Sequence, residues 1–298
     1  MNIKSKVLHE KVPELFNLSV SKTKTFSGCK LKYKFSYIEK LPKKDWEHQI
    51  FGKFIHEILE NFHKTLLDGC KEPYNIIMTR LFKESLVTWK LSPESKKEGF
   101  QVIVNYLVYL AKETKTGLTP TVLALEKDFY ISIDNKILLI GFIDKVQIDT
   151  DGVLHVLDYK TSAKPDYLKK DWMQLLTYAY ALWLEDQTIT KIRGSYVMMK
   201  LKKLDPFGKP VEPTEILEVQ TITRDFSIDE IVEMENVFLD YALKINAEQK
   251  FEPTVSPLCA YCDYLALCPP GEKFVKDKKE KQKRWAINTD MSFGASNW

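Results

Sequence analysis

The sequence predicts one α/β domain. Three observations carry that reading. Apolar residues recur at helical spacing over residues 49–67. Three β-rich runs lie between residues 122 and 160, divided by turn signals. A short segment containing proline and cysteine follows the last helix.

In chain order, "SVSKTKTFSGCKLKYKFSYIEKL" (residues 19–41) opens with a helix cap, Ser19 or Ser21, and spaces Phe26, Tyr33 and Tyr37 at helix-like intervals. In "QIFGKFIHEILENFHKTLL" (residues 49–67), Phe51, Ile55, Ile58, Leu59, Phe62 and Leu66 repeat as i, i+3, i+4 and i+7, an amphipathic helix. Two more helices are expected over about 74–91 and 95–115. Residues 122–133, 136–149 and 153–160 read as strands, because "DN" at 134–135 and "DTDG" at 149–152 are hairpin turn signals. A helix over about 166–186, strands near 192–202 and 215–224, and a helix over about 228–248 complete the pattern. No internal repeat and no long Gly/Ser linker divides it. The expected organisation is a single domain over 1–270, with a helical portion (19–116), a sheet core (120–225) and a closing segment (251–270), then a basic polar tail (271–298).

With 44% hydrophobic residues in 298, the chain can bury a substantial core. No apolar run reaches the ~18–20 residues a membrane helix needs, and "MNIKSKVLHEKVPELF" lacks a signal-peptide core. A soluble, cytoplasmic protein without a membrane partner is expected. Net charge is only +3 but unevenly spread. Residues 21–44 hold eight lysines against one acid, Glu39, and residues 271–285 hold seven cations against three acids, so the remaining chain is acidic. Basic ends around an acidic body suit a polyanion held near an acidic, metal-binding centre. The five cysteines are odd in number, and three crowd into "CAYCDYLALC" (259–268), which points to metal rather than disulfides.

The acids are placed suggestively. Asp158 and Lys160 stand two apart in "VLDYKTSAKP", on the same face of a strand end. The preceding strand offers Asp144 in "GFIDKV", and the one before it Glu126 in "LALEKDF". Alone, an Asp-x-Lys pair is an ordinary surface ion pair. One acid on each of three consecutive strands, with a lysine beside the last, is equipment for binding Mg²⁺ or Mn²⁺ and for metal-assisted phosphodiester hydrolysis.

Asp144…Asp158-Tyr159-Lys160 resembles the PD-(D/E)xK nuclease superfamily, and more narrowly its RecB-type branch. "GKFIH" (Gly52-x₃-His56) with Leu59-Glu60, "QLLTY" (Gln174-x₃-Tyr178) and the opening Ser-x-Ser…Phe-x-x-Cys at Ser19 to Cys29 carry the narrower likeness. The resemblance implies a restriction-endonuclease-like αβ core with a mixed central sheet. It implies His56, Asp144 and Asp158 as metal ligands, joined by the backbone carbonyl of Tyr159. Lys160 would be the catalytic lysine, Glu126 an auxiliary acid near a second metal position, and Gln174 and Tyr178 residues that contact the DNA backbone or order the site.

Cys259-x₂-Cys262-x₅-Cys268-Pro269 supplies three thiolates, and Cys29 or Cys70 would supply a fourth. The layout with Cys29 resembles the iron–sulfur staple of AddB-type and CRISPR-associated RecB-like nucleases, which implies a structural [4Fe–4S] cluster on Cys29, Cys259, Cys262 and Cys268. Lys30 stands where that family usually has proline. A structural zinc is the alternative, although zinc ribbons show paired knuckles and this chain has one. Cys70 reads as a free thiol.

There is no G-x₄-G-K-[ST] loop, so a helicase motor would have to come from a partner, and no G-x-S-x-G or H-E-x-x-H motif. The expected function is a metal-dependent DNA nuclease, an exonuclease on single strands or ends, with "KLKYKFSYIEK" to hold phosphates and stack bases. Alternatives are an end-processing module of a recombination, replication or CRISPR spacer-acquisition complex, and a non-catalytic DNA-binding protein.

Overall fold

The computed structural model describes residues 4–12, 14–114, 119–161, 171–200 and 218–280. Its contacts divide the chain into two units, Met1–Val20 with Asp45–Ala242, and Ser21–Lys44 with Leu243–Trp298.

Among the described residues the first unit is built on a seven-stranded sheet. Along its main path the order is β1 (Ser5–Leu8), β3 (Thr121–Ile133), β4 (Ile137–Ile148), β5 (Leu154–Lys160), β6 (Ile192–Met198) and β7 (Gln220–Phe226). The short β2 (Phe16–Leu18) runs parallel to β4. All other neighbours are antiparallel except β5 and β6, so the sheet is mixed and mostly antiparallel. The β3–β4 turn follows from its dipeptide: Asp134 and Asn135 have φ of 52° and 51°, a left-handed pair in a turn closed by Lys136 N donating to the Ile133 carbonyl. At the β4–β5 turn Gly152 supplies φ of 80° and its N–H donates to the Asp149 carbonyl. β1 and β2 were not expected. They are four and three residues long, too short to show a period, and they take their shape from backbone pairing to β3 and β4.

Three helices, α3 (Glu47–Leu67), α4 (Tyr74–Thr88) and α5 (Pro93–Glu113), pack together as the periodicity predicts. Phe51, Phe54, Ile55, Ile58, Leu59 and Phe62 of α3 are buried with Val102, Ile103 and Tyr106 of α5 and with Leu157 and Tyr159 of β5. Ser92 caps α5 by accepting from the Ser95 amide, with Pro93 at the first helical position. The parallel β5–β6 pair is connected through α6 (Met173–Glu185), whose residues 175 and 177–183 are all buried. The predicted start of that helix (166–170), the ends of two strands (201–202 and 215–217) and the tail from 281 lie outside the described residues. The helix expected over 228–248 runs as α7 (Ile228–Val232) and α8 (Met234–Ala247). Backbone bonds persist across the join, from Glu233 N to Asp229 O and Val237 N to Glu233 O, so helical bonding continues through it.

In the second unit the helix expected from residue 19 breaks. α1 (Val20–Gly28) ends before Cys29, which is extended (φ −163°, ψ 111°), and α2 (Lys30–Tyr33) leads into a π turn, Lys34–Ile38. Residues 269–280 are helical. Lys30 pairs with Glu248, Phe35 meets the Tyr264 ring at 5.4 Å, and Lys44 N donates to Asp263.

Gly194 of β6 lies under the Phe226 ring, which covers it from β7. A methyl group there would stand 2.4 Å from that ring and 3.2 Å from Leu175 Cβ of α6. Gly194→Ala must displace an aromatic ring within a close-packed layer, so a loss of about 1–3 kcal/mol is expected, measured as a lower Tm in thermal unfolding.

Candidate active site

β5 sorts its residues by alternation. Asp158 and Lys160 face α6, whereas Tyr159 points to the opposite face, against α3 and α5. On the α6 face a closed ring of contacts forms. The Lys160 ammonium stands 2.6 Å from Asp158 Oδ2 and donates to Gln174 Oε1 at 2.9 Å. Gln174 Nε2 donates to the Tyr178 hydroxyl at 2.7 Å, and that hydroxyl reaches Asp158 Oδ1 at 3.4 Å. Gln174 and Tyr178 are one turn apart on α6, which is why both reach the same strand end. The ammonium also lies 5.4 Å from the centre of the Tyr196 ring. Among the described residues the buried Asp158 Oδ2 meets the Lys160 ammonium as an ion pair and no aligned hydrogen-bond donor.

Beside this ring, His56, Glu126 and Asp144 come together, each offering a donor atom within 4.8 Å of the others. Asp158 is outside that group. α3 delivers His56, whose Nε2 donates to the Tyr159 carbonyl at 2.9 Å. That bond fixes the tautomer and turns the Nδ1 lone pair toward Asp144 Oδ2, 3.5 Å away. β4 delivers Asp144, whose Oδ2 accepts from the Tyr159 amide at 2.7 Å. One residue, Tyr159, therefore holds His56 with its carbonyl and Asp144 with its N–H. Glu126 stands on β3 between Leu125, paired with Lys145, and Lys127, paired with Ile143. Its φ is 44°, a left-handed conformation that costs a non-glycine residue about 1–3 kcal/mol and occurs mostly at functional sites.

The electrostatics agree with the crowding of like charges. Burial, and next the Asp158 charge, pushes the Asp144 carboxyl well above the usual carboxylate range. Burial, with Glu60 second, raises Glu126. Burial holds the His56 imidazole below its ordinary value although Asp158 acts the other way, so it is neutral and available as a donor.

The sequence gives little warning of two further residues. His63 and Tyr106 are buried and meet the Tyr159 hydroxyl. The available signal is spacing: His63 follows His56 by seven residues, two turns along one helix face.

In the second unit Cys29, Cys259, Cys262 and Cys268 line one cavity of about 250 Å³. Thr254 N donates to Cys29 Sγ and Ser256 N to Cys259 Sγ, both at 3.4 Å. A methyl group on Gly271 would lie 3.2 Å from Cys268 Sγ and 3.7 Å from Cys259 Sγ, so glycine keeps that wall open. Among the described residues no three of these sulfurs lie within 4.8 Å of one another. Cys70 is in the first unit, 3.8 Å from Glu72. Among the described residues no helix is long and apolar enough to cross a membrane.

The chain is 28% identical over 196 residues to a subunit of the ATP-dependent helicase/deoxyribonuclease of Streptococcus agalactiae serotype Ia, covering 61% of this chain and 18% of that protein. The corresponding protein of Streptococcus pyogenes serotype M6 is 27% identical over 202 residues, 63% of this chain and 19% of that one. The Gene 69 protein of Mycobacterium phage D29 is 32% identical over 147 residues, 49% of this chain and 48% of that protein. The chain thus spans about a fifth of the streptococcal relatives and about half of the phage one. The family model of the PD-(D/E)XK nuclease superfamily matches residues 17–269, and the chain belongs to that superfamily.

Proposed function

We propose that this chain is a DNA exonuclease that hydrolyses phosphodiester bonds in single strands or at DNA ends, using Mg²⁺ or Mn²⁺ held by His56, Glu126, Asp144 and Asp158. The observation that carries this reading is the convergence of His56, Glu126 and Asp144 from α3, β3 and β4. The donor set fits: carboxylate oxygens with one imidazole nitrogen suit Mg²⁺ or Mn²⁺, and among the described residues the buried Asp158 Oδ2 is met by the Lys160 ammonium without an aligned hydrogen bond. When bound, such a cation polarises the phosphoryl oxygen and acidifies water. The chain's own residues do the rest. Gln174 and Asp158 fix the Lys160 ammonium at the strand end. From there it offsets negative charge on the phosphate and hydrogen-bonds the attacking water. Tyr178 anchors Gln174, and Tyr159 orients both His56 and Asp144. The streptococcal relatives, named as parts of a helicase/deoxyribonuclease, support DNA as substrate and a motor-bearing partner. They also favour a second reading, an end-processing module within a recombination complex.

We further infer a [4Fe–4S] cluster on Cys29, Cys259, Cys262 and Cys268. The four thiols line one cavity, backbone amides donate to two of them, and Gly271 leaves space between two sulfurs. A structural zinc, with bonds of about 2.3 Å to its thiolates, is the competing reading. Cys268→Ser is expected to lose iron and acid-labile sulfide on purification, and a colourless wild-type protein with stoichiometric zinc overturns the cluster.

With end-labelled DNA and Mn²⁺, Lys160→Ala and Asp158→Ala are expected to lower cleavage roughly a hundredfold or more. Linear strands should be degraded and closed circles spared. Full activity in both variants overturns the site, and rapid cutting of circles overturns the exonuclease reading.

Asp144 also links to stability. Its folded-state pKa lies above its unfolded value, so the metal-free fold holds the extra proton and loses stability as pH rises through that window. Asp144→Asn should therefore raise the metal-free Tm near neutral pH by a few degrees and change it little at pH ~4, while nuclease activity collapses. Differential scanning calorimetry at the two pH values checks the sign.

A further inference from the structure

Tyr159 holds His56 and Asp144 through its backbone, and its side chain is tied down on the opposite face of the sheet. The Tyr159 hydroxyl lies 3.1 Å from the Tyr106 hydroxyl and 3.3 Å from His63 Nε2, and these two are 2.7 Å from each other. The rings of Tyr106 and Tyr159 meet edge to face at 5.9 Å. All three side chains are buried in the apolar layer formed by Phe62, Ile58 and Ile103. They come from three elements, α3, α5 and β5.

Resting on the metal-site reading above, we propose that His63 and Tyr106 are positioning residues: with the Tyr159 hydroxyl they form a buried triangle that sets the register of α3 against β5 and so places His56 at the site. The argument is geometric. His56 and His63 are two turns apart on one face of α3, and each is bonded to the same residue, one to the Tyr159 carbonyl and the other to its hydroxyl. Two attachments along the helix axis to a single residue remove both the sliding and the rolling of α3. Apolar contacts alone are tolerant of small slides. A hydrogen-bonded triangle is not, because a displaced hydroxyl or imidazole in this layer would be left unsatisfied at about 1–3 kcal/mol each. Tyr106 closes the triangle from α5, so the two hydroxyls and His63 Nε2 find partners in one another within the core. α3 carries a second polar network that serves as a control. Glu57 accepts from Ser85 Oγ and Trp89 Nε1, both at 2.9 Å, tying α3 to α4 without touching Tyr159.

The test measures Mn²⁺ affinity by electron paramagnetic resonance of the free ion, alongside Tm, on the full-length protein. Tyr159→Phe and Tyr106→Phe each remove one hydroxyl and little volume. Both are expected to weaken Mn²⁺ binding about tenfold, with nuclease activity recovering at high Mn²⁺. His63→Gln, which keeps an amide near the Nε2 position, should bind more tightly than His63→Leu. Trp89→Phe should lower Tm comparably and leave Mn²⁺ affinity unchanged. Wild-type affinity in folded Tyr159→Phe and Tyr106→Phe overturns the proposal, as does an equal loss of affinity in Trp89→Phe. Asp144→Asn separates the two levels: if it abolishes Mn²⁺ binding while the tyrosine variants do not alter it, only the triangle fails. If the wild-type protein binds no Mn²⁺, the site reading fails and the triangle with it.

Discussion

The two-residue repeat of one strand is the constraint from which the site follows. β5 cannot present Asp158 and Lys160 on one face without turning Tyr159 to the other. The polar pair thereby falls against α6, where Gln174 and Tyr178 wait one turn apart, and the aromatic side chain falls into the layer of α3 and α5. The peptide of Tyr159 remains in the plane between them. From there it takes His56 on its carbonyl and Asp144 on its amide. Chemistry on one face and packing on the other are thus joined at a single residue.

The same arrangement works against the stability of the fold. Three acids and a neutral imidazole share a poorly solvated corner, and burial together with mutual repulsion raises Asp144 and Glu126. Glu126 adds a left-handed backbone at a position inside a strand. Lys160 offsets only part of the charge, because it pairs with Asp158, away from Glu126. Such tension persists only where surrounding packing over-determines the structure. Here the surrounding core is extensive: Phe54, Ile55, Ile58, Leu59 and Phe62 of α3 are all fully buried.

Much of this was legible in the sequence, for identifiable reasons. Helical spacing located α3, α4 and α5, and "DN" foretold a left-handed pair because Asp and Asn tolerate that conformation best after glycine. The spacing of Asp144, Asp158 and Lys160 with a turn between them marked a strand-end cluster, while His56, Gln174 and Tyr178 stood out only through family resemblance. Other features left no trace. The left-handed backbone at Glu126 is not announced by the residue, since Glu carries no preference for it. β1 and β2 exist because longer strands offer them partners. Cys29, where the first helix breaks, meets a chain segment more than two hundred residues away, whose Thr254 amide donates to its sulfur. Local propensity reads none of these, because each is settled by tertiary contact.

That last contact bears on how the molecule is made. The second unit is discontinuous in sequence: Ser21–Lys44 leaves the ribosome before residues 45–242 of the first unit, and Leu243–Trp298 only after them. The early piece must wait, basic and unpaired, while the sheet is completed. The second unit therefore cannot close segment by segment as it is synthesised, and any group that the four cysteines share can be loaded only once synthesis has delivered the last of them.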